Sequence, residues 1–174
     1  MVSVLVLSDT HLAPETLDRM PAEVFDLADR ADVVLHAGDV VHPAVLDALR
    51  ERAPVHAVLG NNDHALRGRL PDVLELELEG VRVGMVHDSG TTAGRASRMR
   101  HRFPTADVVV FGHSHAPLIE RPADGPVLVN PGSPTQRRRQ PVHTVAWLDL
   151  TSGRLEGVDL IEVGPFARAT SRGS

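Results

Sequence analysis

The stretch that decides the fold is Val2-Ser3-Val4-Leu5-Val6-Leu7-Ser8-Asp9-Thr10-His11. Val2–Leu7 is rich in β-branched residues and runs into a polar group, which reads as a buried strand entering a loop. The figure recurs twice. Asp32–His36 is a second short apolar strand, followed by Ala37-Gly38-Asp39, and Val55–Leu59 is a third, followed by Gly60-Asn61-Asn62-Asp63-His64. Between them, Pro14–Arg30 has helical spacing (Leu17, Met20, Val24, Leu27, Ala28) interrupted near Pro21, and Pro43–Arg52 places Val45, Leu46 and Leu49 on one helical face. Strand, helix, strand, helix, strand predicts parallel strands joined by right-handed crossovers. Each of the three strands ends in a loop holding Asp, His or Asn, at the edge where open α/β sheets bind ligands.

Beyond residue 70 the pattern is richer in strand. Val73–Leu78 alternates apolar residues with Glu, and Val81–Val86 follows Glu79-Gly80, a hairpin with one wet face. Thr91–Arg102 reads as a basic helix. Ala106–Phe111 is a further buried strand, ending in Gly112-His113-Ser114-His115. Leu118–Glu120, Val127–Val129, His143–Leu150 and Val158–Val163 are expected to complete a mostly antiparallel set. The reading is one α/β domain over residues 1–164, with an αβ-rich sheet and a β-rich sheet, and a polar tail over 165–174. No internal repeat or linker interrupts it.

Composition narrows the function. The chain has 174 residues, 42% apolar and 24% charged, with a net charge of −5. That suits one domain with a real core and excludes a generally basic nucleic-acid coat. Aromatics are 3%, too few for a base-stacking platform. Cys is absent, so thiolate metal sites, disulfides and cysteine nucleophiles are excluded. No Lys occurs either, which removes a Walker-type phosphate loop and a Schiff-base lysine. The apolar run at the N-terminus lacks a basic flank and is too short for a signal-peptide core, and no segment approaches the ~20 apolar residues of a spanning helix. The expected location is cytoplasmic, with no membrane partner.

The unusual material is histidine, ten in all. In chain order, the strand-end loops offer Asp9 and His11; Asp39; Asn61, Asn62 and Asp63; His87 and Asp88; His113 and His115. If the backbone there stays extended, Asp9/His11 and His113/His115 each point one way, because side chains alternate along a strand. Gly38, Gly60 and Gly112 precede Asp39, Asn61 and His113, and permit tight turns and close backbone approach. Imidazole and carboxylate donors without thiolate suit Mn, Fe, Zn, Co or Ni. The candidates are too many for one ion and fit two ions sharing a carboxylate, ~3.5–4 Å apart, a pairing that clamps attacking and leaving oxygens in phosphoryl transfer. Each piece alone reads as well or better in structural terms: Asp9 as a helix cap, Asp39 and Asp63 as turn carboxylates, His87 as a core histidine. The weight lies in the joint occurrence of five such loops, each after an apolar strand.

D-x-H, G-D, G-N, H and G-H-x-H in that order resemble the calcineurin-like metallophosphoesterase family, and the match spans residues 4–115. His36-Ala37-Gly38-Asp39-Val40 and Asn130-Pro131-Gly132-Ser133-Pro134 resemble its small single-domain bacterial and archaeal phosphodiesterase branch. The resemblance implies a four-layer α/β/β/α sandwich of two mixed sheets with metals at one rim. It implies that Asp9, His11, Asp39 and His115 hold a first divalent ion, and that Asp39, Asn61, His87 and His113 hold a second, with Asp39 bridging. Mn²⁺ is the first expectation for the ions, with Fe, Zn, Ni or Co behind it. A metal-bridging hydroxide would then attack a small phosphodiester in line with its leaving group.

Two positions depart from the family pattern. Many relatives carry His directly after the G-N asparagine as the acid for the leaving group; here it is Asn62, which leaves Asp63 and His64 as candidates, His64 being the better one near neutral pH. Relatives commonly carry a second His two places after the first in the fourth motif; here Ser89 follows His87. The Arg residues of the basic helix read as a solvated face, and Arg137 of the Arg137-Arg138-Arg139 run is the candidate phosphate contact. The rival readings are a phosphomonoesterase or nucleotidase on the same site and a non-catalytic protein-binding scaffold of the same fold, as in a eukaryotic retromer subunit lacking part of the ligand set. Polymeric nucleic acid is not expected as a substrate, and the Val73–Leu78 hairpin surface offers a face for a homodimer.

Overall fold

A computed structural model of the chain describes residues 1–164; the polar tail expected over 165–174 lies outside the described residues. The first sheet is built from β1 (Val2–Leu7), β2 (Val33–His36) and β3 (Val55–Ala57), all parallel. Their crossovers carry α1 (Ala22–Arg30) and α2 (Pro43–Arg50). The break expected near Pro21 is real: Pro14–Arg19 forms a separate short 3₁₀ turn ahead of α1.

β1 shows why its sequence is apolar without alternation. Leu5 and Leu7 face the helices, where they pack with Val24, Leu27, Leu46 and Leu49. Val4 and Val6 face the other way, into a second core with Val83, Met85, Val108 and Val110 of the second sheet. A strand covered on both sides has no wet face to mark with polar residues. The second sheet repeats the arrangement: Val109 and Leu128 turn outward onto Met99 and Phe103, beneath α3 (Arg95–Arg102). Helices, sheet, sheet and helix therefore form the four layers.

The second sheet has the order β4-β5-β6-β8-β7, with β4 (Val73–Leu78), β5 (Val81–Val86), β6 (Val108–Val110), β7 (Leu118–Glu120) and β8 (Val127–Asn130). Its centre is parallel, β5 to β6 to β8, and only the edges β4 and β7 are antiparallel. This corrects the expectation of a mostly antiparallel set. The β5-α3-β6 connection is itself a crossover unit, which requires parallel neighbours. The last two strands also go elsewhere. β9 (His143–Thr151) pairs antiparallel with β1, and β10 (Arg154–Val163) pairs with β9, so the first sheet runs β10-β9-β1-β2-β3. β9 is buried on both faces, with Val145 toward the helices and Ala146, Leu148 and Leu150 toward the other sheet. An interior position is the only one that covers both. The helix expected from Thr91 starts at Arg95, because Gly94 takes a left-handed conformation at its N-terminus (φ 71°).

No helix among the described residues is long and apolar enough to cross a membrane.

Candidate metal centre

The loops after β1, β2, β3, β5 and β6 meet at one rim, tied within each sheet by backbone bonds and between the sheets by His113 N donating to Asp9 Oδ2. Asp9 N donates to Gly38 O (2.9 Å), His11 N to Asp39 O (3.0 Å) and Gly112 N to His87 O (2.9 Å). The close approach depends on two glycines. A Cβ on Gly112 would overlap Ser8 Oγ, and one on Gly60 would overlap the backbone and carboxylate of Asp39.

Asp9 and His11 do converge, as do His113 and His115, but not by strand alternation. Asp9, His11, Asp39, His113 and His115 all have positive φ, between 46° and 68°. Non-glycine residues in the left-handed region cost of order 1–3 kcal/mol each when held there, and such strain gathers where side chains must be aimed.

The aim is inward. Asp9 Oδ1 is fully buried and has no hydrogen-bond partner among the described residues. Around it stand His115 Nε2 at 3.3 Å, His11 Nε2 at 3.8 Å and His87 Nε2 at 4.0 Å. Asp39 Oδ2 lies 3.4 Å from both His11 Nε2 and His87 Nε2. Asn61 Oδ1 lies 3.1 Å from His87 Nε2 and 3.1 Å from His113 Nδ1. Donors bound about 2.1 Å from one ion stand about 3.0–3.5 Å apart in octahedral or tetrahedral arrays, so these spacings suit a shared ion. Two overlapping groups, Asp9/His11/His115 and Asp9/Asp39/His87, each keep their ligand atoms within 4.8 Å of one another, consistent with a dinuclear divalent centre. The donor set, oxygen and imidazole nitrogen without sulfur, fits such a centre.

Each inward atom is aimed by a bond on its other side. Asp9 Oδ2 accepts from Ser8 Oγ (2.7 Å) and His113 N (2.9 Å), which leaves Oδ1 to face the histidines. His87 Nδ1 meets Ala37 O at 2.7 Å and His115 Nδ1 meets Gln136 O. A carbonyl only accepts, so each ring carries a proton on Nδ1, and in the neutral form of the ring the Nε2 lone pair points into the cluster. Burial pushes the Asp9 carboxyl up, but the neighbouring His115, with His87 and the Ser8 hydroxyl, outweighs it and leaves Asp9 below its ordinary range. Asp39 is likewise pushed up by burial and held further down by His87 and Asn62. Burial lowers His11 against the pull of Asp39 and Asp9. For His87 burial also lowers, yet Asp39, Asp9 and Ala37 win and raise it. Both carboxylates are thus ionised at neutral pH among imidazoles.

Residues 2–153 match the calcineurin-like phosphoesterase superfamily domain. The chain belongs to that superfamily. A Methanothermobacter thermautotrophicus protein described as "Probable metallophosphoesterase" is 38% identical over 135 residues, 76% of this chain and 77% of that protein. Vps29 of Entamoeba histolytica, solved in complex with Zn²⁺, superposes with a TM-score of 0.74 at 21% identity, over 92% of this chain and 98% of that one. A structure described as a novel archaeal phosphodiesterase superposes with a TM-score of 0.70 at 20% identity, over 92% and 99%.

Placed on this superfamily fold, all the loop residues named as ligands come together: Asp9, His11, Asp39, Asn61, His87, His113 and His115. Asp9 touches both groups, so Asp39 is not alone in standing between them. Ser89 is buried and its carbonyl accepts from Arg98 Nη2 (3.1 Å), so the fourth loop reaches the cluster through His87. Asp63 is a clamp: it accepts from Val41 N (2.6 Å) and Gly60 N (2.7 Å) and is buried. His64 is exposed, at the start of a short 3₁₀ turn, with no side-chain hydrogen bond to the cluster among the described residues. Asp88 accepts from Gly90 N (2.7 Å). Arg137 turns to Gln140 O (2.6 Å), whereas Arg138 donates to His113 O (3.2 Å), so Arg138 is the member of the run that contacts a cluster loop.

The Asn130–Pro134 stretch has a role that motif matching leaves undefined. Asn130 Nδ2 donates to Gly112 O (3.0 Å) and Ser114 Oγ (3.1 Å), Ser133 Oγ donates to Asp9 O (2.8 Å), and Thr135 Oγ1 donates to Thr10 O (2.5 Å). The loop is a brace that fixes the strained loops carrying Asp9 and His115.

Proposed function

We propose that the chain is a dinuclear metal-dependent phosphodiesterase acting on a small phosphodiester. The observation that carries this reading is the buried, unpartnered Asp9 Oδ1 inside a ring of imidazole nitrogens. Leaving a buried carboxylate oxygen unpaired is costly, and ions on Asp9, His11, Asp39, Asn61, His87, His113 and His115 would satisfy it. Such ions would supply Lewis acidity and lower the pKa of the attacking water.

The chain's own groups do the rest. Asp39, whose Oδ2 lies 3.4 Å from both His11 Nε2 and His87 Nε2, would contribute its carboxylate to holding the ions. Asn61 can offer its carbonyl oxygen to an ion while its amide donates to a phosphoryl oxygen. Asn62 holds Asp39 and cannot give a proton, so protonation of a poor leaving group falls to His64 or to solvent. Diester use is supported by two grooves that flank the cluster: one of about 590 Å³ beside Asn61, His87 and His113, and one of about 310 Å³ beside His11. A diester has two arms and a monoester one. Mn²⁺ is the first choice of ion, and the zinc-bound Entamoeba relative makes Zn²⁺ the next.

Metal content of the purified chain, paired with hydrolysis of bis(4-nitrophenyl) phosphate and 4-nitrophenyl phosphate, tests the reading. About two ions per chain, and diester hydrolysis that chelator abolishes and Mn²⁺ restores, are expected. Faster monoester hydrolysis would favour the monoesterase. No bound metal and no rescue would favour the scaffold.

A further inference from the structure

The larger groove is more than an exit for one arm. Beyond Asn61, His87 and His113 it is lined by Arg67 and Arg102, which arrive from separate elements, the segment after the 3₁₀ turn and the C-terminus of α3. Neither guanidinium has a carboxylate within 4.0 Å among the described residues, as holds for most arginines of the chain; these two share one groove with the cluster residues. Two guanidiniums lining one groove offer planar, multi-donor groups of the kind that hold an oxyanion. Asp72 and Asp88 line the same groove. Asp88 is engaged by Gly90 N, and Asp72 would repel an anion but accept from a hydroxyl or amino group.

Resting on the phosphodiesterase reading, we propose that the groove is a subsite for a second phosphate on the substrate, Arg67 and Arg102 gripping it while the scissile phosphate lies at the metal cluster. The substrate class is then a small phosphodiester that carries a second phosphate on a hydroxyl- or amino-bearing frame; a nucleoside bisphosphate presents two phosphates on such a frame and serves as a binding probe for the subsite. Leu59 and Val86, also on the groove wall, supply the apolar surface against which such a frame would rest.

Binding tests this apart from turnover. Thymidine 3′,5′-bisphosphate and thymidine 5′-monophosphate are titrated calorimetrically into the wild-type chain, with and without Mn²⁺. The bisphosphate is expected to bind about 10-fold or more tighter, as an added charge-assisted bidentate contact should give. The advantage should fall below about 2-fold in the Arg67→Ala/Arg102→Ala variant. It should survive in Arg121→Ala/Arg154→Ala, which removes the same charge outside the groove. Equal affinities in the wild type, no binding of either nucleotide, or an advantage that survives loss of Arg67 and Arg102 would each overturn the subsite. Bis(4-nitrophenyl) phosphate hydrolysis by the wild type is read separately. Its absence with the bisphosphate advantage intact would sink the phosphodiesterase reading and leave the anion subsite standing.

Discussion

Asn62 grips both carboxylate oxygens of Asp39: its backbone N donates to Oδ1 at 2.8 Å and its side-chain Nδ2 to Oδ2 at 2.7 Å. Oδ2 is also the oxygen that faces His11 and His87. At the position where many relatives carry an acid, this chain carries a positioning residue for a metal-facing carboxylate. Asn62→Ala keeps the backbone bond and removes the other. Loss of such outer partners typically costs 10–100-fold in metal affinity or activity. A Mn²⁺ titration of Asn62→Ala is expected to show a drop in that range with unchanged thermal stability at saturating metal. Unchanged affinity would reduce Asn62 to a turn residue.

His64 is exposed and bonds to no cluster atom among the described residues, so the acid role proposed for it would require a bound substrate. An aryl leaving group departs without help, and an alkoxide does not. His64→Ala is therefore expected to slow an alkyl phosphodiester by about 10²-fold while leaving bis(4-nitrophenyl) phosphate nearly unchanged. Equal losses on both would remove His64 from proton transfer.

The sequence carried the parallel β1-β2-β3 unit because Val2–Leu7, with its two buried faces, and the crossover helices each leave a local signal. It also located the cluster loops, since the polar residues stand at strand ends. It did not carry the pairing of β9 with β1. That choice follows from which interior slot covers both faces of Thr144–Leu150, a property of the assembled sheets. The left-handed conformations of Asp9, His11 and His115 were equally illegible. Asp and His tolerate that region better than most residues, but nothing in the local sequence singles these out; around Asp9 and Thr10 the backbone is braced by Ser133 and Thr135, more than a hundred residues distant in sequence. Arg102 belongs to the basic helix that reads as a solvated face, and only the folded chain sets it on one groove with Arg67.

His36 sits under the cluster, fully buried, with Nε2 3.1 Å from Thr10 Oγ1 and Nδ1 without a partner among the described residues. Burial pushes its pKa down to about 3 against the partial opposition of Asp9. The folded chain keeps this ring neutral while the unfolded chain protonates it below about 6.5, so the unfolded state binds more protons and stability falls as pH drops through that window. The contribution reaches about 2 kcal/mol between pH 6.5 and 5. Denaturant unfolding in chelator should show a shallower acid loss for His36→Gln than for the wild type. Parallel pH curves would show that the folded chain accommodates the charge.

Asp9, at the end of β1 in the first sheet, is gripped by the β6 loop of the second. Gly112 passes so close to Ser8 and Asp9 that a Cβ would overlap Ser8 Oγ and come within 2.7 Å of Asp9 Oδ2. Ser8 Oγ is the donor that turns Asp9 Oδ1 toward the histidines. Gly112→Ala must therefore displace either the β6 loop, with His113 and His115, or the Ser8–Asp9 bond. Overpacking at a buried contact of this kind costs about 1–3 kcal/mol. Adding Ser8→Ala removes the atom that is struck, so the double variant is expected to regain most of the lost stability. It should not regain metal affinity, because the bond that aims Asp9 is gone. Stability and Mn²⁺ affinity measured on the wild type, both single variants and the double variant separate the two effects. Recovery of both together would mean that His113 N alone is enough to orient Asp9.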